Sequence, residues 1–248
     1  MIEKEICDDI LVIRLNRPEK LNAWDTPARE AFRSALQEAD ANDEVKAVIV
    51  TGTGERAFCA GADLKESGIG VPSDARQRMD RFLNLYTAVL SFQKPLVAAL
   101  NGLAVGSAFQ VVLLMDYRVG HPGVQMGLTE INSGIPTISG ATILNWAVGL
   151  NRTRELSVSG RMVAGDEARA LGLIEELTDA DKVMERAFDA ARRLAAKKPH
   201  AYAETKAWLR DLRLPELSAS FERAFEIRQR KDVATSIQSG VAGFVAKN

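Results

Sequence analysis

Cysteine and histidine are nearly missing from these 248 residues, which hold two of each: Cys7, Cys59, His121 and His200. Two cysteines cannot build a disulfide framework, and such sparing use fits a reducing compartment. No Cys/His cluster has the spacing of a zinc site, so no metal is expected. An excess of positive charge is missing as well. The 32 basic residues are balanced by 33 acidic ones, for a net charge of −1. That leaves nothing to neutralise a phosphate backbone and argues against nucleic acid as a partner. Long hydrophobic runs are absent too, because the most apolar stretches, 96–105 and 111–115, are too short or interrupted to span a bilayer. The first residues, Met1-Ile2-Glu3-Lys4-Glu5, lack the basic and apolar regions of a signal peptide. The cytoplasm is the expected location, with no membrane partner.

What is present is an alternation of strand and helix signals. Ile10-Leu11-Val12-Ile13-Arg14-Leu15 reads as a strand ended by Asn16-Arg17-Pro18. Thr26-Pro27 supplies a capping hydroxyl and a proline at a helix start, and Ala28, Phe32, Leu36 and Ala39 then line one face. Residues 45–50 and 95–100 read as buried strands. A polar helix is expected over 74–91 and an apolar one over 105–115. Beyond about residue 180 no strand signal occurs. Val183, Ala187, Ala191 and Leu194 form one helical stripe, ended by Lys197-Lys198-Pro199, and Leu217, Phe221, Ala224 and Phe225 form another. The class is therefore α/β, with a core over 1–180 and a helical region over 181–248 that is expected to serve as an oligomer contact.

Four motifs bear on chemistry. Gly52-Thr53-Gly54-Glu55-Arg56-Ala57 follows a strand and matches the dinucleotide fingerprint, but no helix signal opens there, so a plain turn is the better account. Ser107 with His121 has the residue types of a nucleophile and base, but the stretch around Ser107 lacks the nucleophile-elbow pattern. The competing reading has Ser107 capping a helix and His121 in a turn. Two small-residue loops, Ala60-Gly61-Ala62-Asp63-Leu64 and 102–108, each lie just beyond a strand and are expected to open a helix. Free N–H groups there can hold a developing oxyanion, although tight packing alone explains the small residues equally well. Finally, Glu130 is a lone carboxylate among apolar and small residues in 126–136. There it can serve as an acid or base with a raised pKa, or be an ordinary surface or helix-start charge.

The order of several motifs adds information that no single one carries. Leu15-Asn16-Arg17-Pro18-Glu19-Lys20-Leu21-Asn22-Ala23, Ala57-Phe58-Cys59-Ala60-Gly61-Ala62-Asp63-Leu64-Lys65, Lys94 to Gly102, Gly160-Arg161-Met162 and Glu167 to Ile174 occur in sequence across most of the chain. Together they resemble the crotonase superfamily, the enoyl-CoA hydratases and isomerases. The resemblance implies a spiral of ββα turns with a C-terminal helical region, commonly assembled as a trimer or a dimer of trimers. It implies an acyl-CoA substrate, with CoA bound along Lys20, Leu21, Ala23, Ala60, Ala62, Asp63 and Leu64. The oxyanion donors would be the N–H groups of Ala62 and Ser107, and no cofactor beyond the substrate's own CoA is expected.

Two departures from the family pattern stand out. Ser107 replaces a usual glycine, which keeps the N–H but adds a hydroxyl. Gln110 stands where the hydratases carry a glutamate. An amide cannot exchange a proton, so Gln110 either orients a water or substrate oxygen or is a satisfied core glutamine. Glu130 aligns with the hydratases' second glutamate and would be the sole acid/base, for isomerisation or hydration of an enoyl-CoA. The form of 128–136 is closer to the hydroxycinnamoyl-CoA hydratase-lyases, and a weakly catalytic CoA-binding homologue is the third reading. Pocket walls are expected from 66–90 and from the C-terminal helices, where the family pattern is weakest.

Overall fold

The computed structural model describes residues 2–66 and 71–247. Its ten strands are β1 (Ile2–Cys7), β2 (Ile10–Leu15), β3 (Ala47–Gly52), β4 (Ala57–Cys59), β5 (Leu96–Ala99), β6 (Leu103–Val105), β7 (Tyr117–Gly120), β8 (Gln125–Gly127), β9 (Val163–Ala164) and β10 (Glu176–Leu177). The helices are α1 (Thr26–Ala41), α2 (Ala75–Ser91), α3 (Ser107–Leu114), α4 (Ile138–Ser159), α5 (Gly165–Ala170), α6 (Val183–Ala195), α7 (Pro199–Arg228) and α8 (Lys231–Lys247). The chain repeats a ββα unit: β1-β2-α1, then β3-β4-α2, then β5-β6-α3. This is the α/β spiral with a helical C-terminal region that the sequence suggested.

Each unit sends one strand to each of two sheets. The large sheet runs β1-β2-β3-β5-β7-β10 and is parallel apart from the β1–β2 hairpin. The small sheet runs β4-β6-β8-β9, with β4, β6 and β8 parallel. A parallel sheet needs cover on both faces, which explains why every residue of β3 and β5 is buried. On one face, Val183, Ala187, Ala190 and Ala191 of α6 pack on Ile10, Val12, Ile49, Val97 and Val119. On the other face, Phe32 and Leu36 of α1, Leu85 and Tyr86 of α2 and Phe109 of α3 join Ile13, Val48 and Leu96 in the main core.

Several boundaries differ from the expectations. Asp25, not Thr26, caps α1: its carboxylate accepts from the Ala28 N–H at 3.0 Å. The Thr26 hydroxyl instead bonds the Glu66 carboxylate and accepts from Arg29. Pro199 does not merely end a helix but is the first residue of α7, where its missing N–H costs nothing. Residues 52–57 form the expected turn, leading into β4 rather than a helix. Val105 closes β6, and α3 begins only at Ser107.

Candidate active site

The parallel strands of the small sheet decide where chemistry can occur. β4, β6 and β8 all point one way, and the chain leaving each carboxyl end enters one cavity of about 640 Å³. From β4 come Ala60, Gly61 and Ala62, from β6 come Gly106 and Ser107, and from β8 come Thr129 and Glu130. The carboxyl ends of parallel strands are where α/β folds gather ligand sites.

Two N–H groups are freed by backbone geometry. Trp24 pairs with Ala62 in a parallel bridge, donating to the Gly61 carbonyl and accepting from the Asp63 N–H, each at 3.0 Å. Ala62 is straddled by those bonds, so its own N–H points away from Trp24. Ser107 is the first residue of α3, and its N–H is one of the helix-start donors that no turn of helix can satisfy. Each donor is preceded by a glycine with positive φ, Gly61 at 86° and Gly106 at 58°. A Cβ on Gly61 would lie 2.6 Å from the Val105 carbonyl oxygen, which excludes a side chain, whereas at Gly106 it is the positive φ that favours glycine, since a Cβ there would meet Glu130 Oε1 at 3.4 Å, an ordinary contact. Two expectations fail in detail. Ala62 lies in a bridge followed by a turn, not at a helix start, and Ser107 is not a cap, because Gly106 holds that position.

The Ser107 and His121 pair is not formed. Ser107 Oγ accepts from Trp24 Nε1 at 3.0 Å, whereas His121 lies in the turn after β7 and accepts from the Gly123 N–H at 3.2 Å. The added hydroxyl serves a buried indole rather than a histidine base.

Glu130 opens a short 3-10 turn, Glu130–Ser133, closed by Gly134 in the left-handed region. The Tyr86 hydroxyl donates to Gln110 Oε1 at 2.8 Å, and Gln110 Nε2 donates to Glu130 Oε1 at 2.7 Å. Glu130 Oε2 is buried with no hydrogen-bond partner among the described residues. Burial pushes the Glu130 carboxyl up to about 7, against the lowering effect of Gln110 and of the more distant Arg228. Burial and the neighbouring Glu130 carboxylate hold Tyr86 well above the usual phenol range, so it stays a donor.

All seven expected CoA contacts, Lys20, Leu21, Ala23, Ala60, Ala62, Asp63 and Leu64, line the same cavity. Leu21 and Asn22 both adopt positive φ, at 51° and 56°. Asn22 holds that turn by donating to the carbonyls of Thr53 (3.0 Å) and Ala57 (2.8 Å) and accepting from the Arg17 N–H (2.9 Å). The Asp63 carboxylate is paired with Arg17 at 2.8 Å, so it shapes the rim rather than presenting a free charge.

The far wall comes from elements the motifs do not cover: Arg78, Met79, Phe82 and Tyr86 of α2, and Phe221, Ala224 and Arg228 of α7. Of these, Arg78, Tyr86 and Arg228 carry polar groups that the sequence did not single out. Their spacing on α2 and α7 is that of an ordinary core stripe, which gives no separate signal for a pocket. The cavity can thus hold a negative oxygen between two N–H groups and move a proton at one carboxylate, the elements needed to form and quench an enolate.

Comparison with known proteins identifies the family. A family model described as enoyl-CoA hydratase/isomerase matches residues 5–248. A probable enoyl-CoA hydratase of Rhizobium meliloti is 33% identical, over 95% of this chain and 91% of its own. Carboxymethylproline synthase of Pectobacterium carotovorum is 30% identical over 83% of each chain. The crystal structure of an enoyl-CoA hydratase/isomerase from Xanthobacter autotrophicus superposes with a TM-score of 0.85 at 26% identity, covering 100% of this chain and 98% of that one. The chain belongs to the enoyl-CoA hydratase/isomerase family of the crotonase superfamily.

Proposed function

We propose that the protein isomerises the double bond of an enoyl-CoA, with Glu130 as its sole acid/base. The thioester carbonyl lies between the N–H groups of Ala62 and Ser107, and CoA runs along Lys20–Ala23 and Ala60–Leu64. Glu130 Oε2 takes a proton from C2 of a 3-enoyl-CoA, and the electron pair moves onto the thioester oxygen as a dienolate. The same carboxyl then returns the proton at C4, leaving the double bond between C2 and C3. The observation that carries this reading is the asymmetry of Glu130: Oε1 is pinned by Gln110, while Oε2 is buried and free to exchange a proton. A carboxyl near pH 7 suits both halves of the step. Gln110 is already engaged by Tyr86 and Glu130, which makes it a positioning residue for the base rather than a second proton carrier.

Aromatic acyl-CoA hydratase-lyase chemistry is the second reading, favoured by Phe82, Tyr86 and Phe221 in the cavity wall. Against it, the Arg29 guanidinium sits over the Phe82 ring at 4.5 Å, so that face is not free for a flat substrate. Exposed Trp208, Leu209 and Leu212 on α7 support assembly with further copies, as a trimer or dimer of trimers.

The test follows the absorbance of the conjugated thioester. A rise with trans-3-enoyl-CoA that vanishes in Glu130→Gln is the expected result. A fall with trans-2-enoyl-CoA and no rise with the 3-enoyl isomer replaces isomerisation with hydration. Turnover of feruloyl-CoA alone selects the second reading, and no change with any of these thioesters overturns the enzyme assignment.

A further inference from the structure

Arg228, the last residue of α7, lies on the face that carries Phe221 and Ala224, and all three line the cavity. Its side chain is half-buried, and among the described residues it makes no hydrogen bond or ion pair. Burial, and then the like charge of Arg78, lower it to about 10, with Glu130 opposing. A guanidinium that lines a cavity, with five donors and no protein acceptor, is available to an acceptor that enters the cavity.

The neighbouring arginines are already served. Glu66 takes Arg29 at 3.1 Å and Arg78 at 3.2 Å. Burial would raise the Glu66 carboxyl, but the Thr26 hydroxyl and Arg29 hold it below its ordinary value, so it stays ionised. Three guanidiniums therefore share one permanent carboxylate, because Glu130 is only partly ionised near neutral pH. Of the two guanidiniums that line the cavity, Arg78 has Glu66 as its partner and Arg228 has no carboxylate within ion-pair distance among the described residues. This wall comes from α2 and α7, joined by the Tyr86–Phe221 ring contact at 5.5 Å, whereas Lys20 and Lys65 come from the loops before α1 and after β4, the second of which is tied to Arg78 through Glu66.

We propose that Arg228 is a specificity-determining residue that receives a carboxylate at the far end of the acyl group, so that the preferred substrates are acyl-CoA thioesters of dicarboxylic acids. This rests on the acyl-CoA reading above and names the substrate class within it. The guanidinium fork matches a carboxylate with two parallel hydrogen bonds, and the thioester end remains at Ala62 and Ser107.

The test uses saturated thioesters, which lack the reactive double bond, so that calorimetry reports recognition alone. Glutaryl-CoA and adipyl-CoA are compared with pentanoyl-CoA and hexanoyl-CoA. For at least one chain length, the carboxylated ligand should bind the wild type at least about tenfold more tightly than its uncharged counterpart. Arg228→Met should abolish that preference and Arg228→Lys should keep part of it. Equal or weaker binding of both carboxylated ligands to the wild type overturns the proposal, whatever the variants do. So does a preference that survives in Arg228→Met. Equal weakening of charged and uncharged ligands by that variant would assign the guanidinium to the CoA phosphates and also overturn it. Because no turnover is needed, failure here leaves the isomerase reading standing, and absence of turnover leaves this comparison decisive.

Discussion

Gln110 Nε2 donates to Glu130 Oε1 at 2.7 Å, while the opposite end of the same amide accepts from Tyr86 at 2.8 Å. The phenol therefore fixes which way the amide faces, and the amide fixes which carboxyl oxygen is left without a hydrogen-bond partner among the described residues. A glutamate at position 110 would be a second titratable group beside Glu130, whereas a glutamine cannot exchange a proton, so under the proposed mechanism the exchange falls to Glu130.

Tyr86→Phe removes the anchor without changing the ring. The amide of Gln110 can then turn its oxygen toward Glu130, which favours the protonated carboxyl. The expected outcome is a fall in kcat of about tenfold with little change in KM, and a pH profile for kcat/KM displaced upward from about 7. Unchanged profiles would leave Tyr86 with a packing role alone.

Gln110→Glu supplies a second proton carrier. Hydration of trans-2-enoyl-CoA should rise in this variant, and double-bond isomerisation should weaken as two adjacent carboxyls share charge. Parallel assays with 2-enoyl and 3-enoyl substrates separate the two effects.

The raised pKa of Glu130 also has a sign in stability. The folded protein keeps the proton up to about pH 7, while the unfolded chain loses it near the ordinary value of 4.5. Between those pH values the native state binds more protons, so stability falls as pH rises and levels off above 7. The loss should be about 3 kcal/mol at most. Denaturant titrations at pH 5 and pH 8 should show this slope in the wild type and not in Glu130→Gln. In turnover the sign is opposite, because proton abstraction needs the ionised form and the rate should climb through the same region.

Ser107 joins two roles that substitution separates. Ser107→Ala keeps the N–H but leaves the buried Trp24 indole without its acceptor, for a stability loss of about 1–3 kcal/mol by denaturant titration. Ser107→Pro removes the N–H at a helical position where proline is tolerated, and should lower kcat by about 10²–10³ with the fold retained by circular dichroism.

The half of the cavity built from loops was legible residue by residue, and the half built from helices only as regions, 66–90 and the C-terminal helices. Gly61 and Gly106 stand out because the backbone needs a positive φ before each donor, and Asn22 holds the Leu21 turn through its own side chain. Such constraints are local and fall on adjacent residues. Tyr86 and Arg228 obey no such local rule. Met79, Phe82 and Tyr86 follow the same helical spacing as residues that only fill the core, and Arg228 closes a helix as any basic residue would. Whether such a face meets protein or empty space is decided by elements far away in the chain. The cap of α1 was misplaced by one residue because Asp25 and Thr26 both suit the role. Glu66, which occupies the Thr26 hydroxyl, lies 40 positions away.

The turn that carries Glu130 is gripped by the end of the chain. A Cβ on Gly240 of α8 would lie 2.3 Å from the Ser133 carbonyl oxygen, and one on Gly134 would lie 2.7 Å from that of Ser236. This interdigitation joins segments about a hundred positions apart, so the base cannot settle until the last helix has docked. During refolding the sheets can close by pairing neighbouring ββα units, with short chain loops and fast local searches. The turn that carries Glu130, by contrast, waits on a closure that spans about a hundred positions. Return of activity should therefore require the docking of α8 and not only the growth of helix or strand.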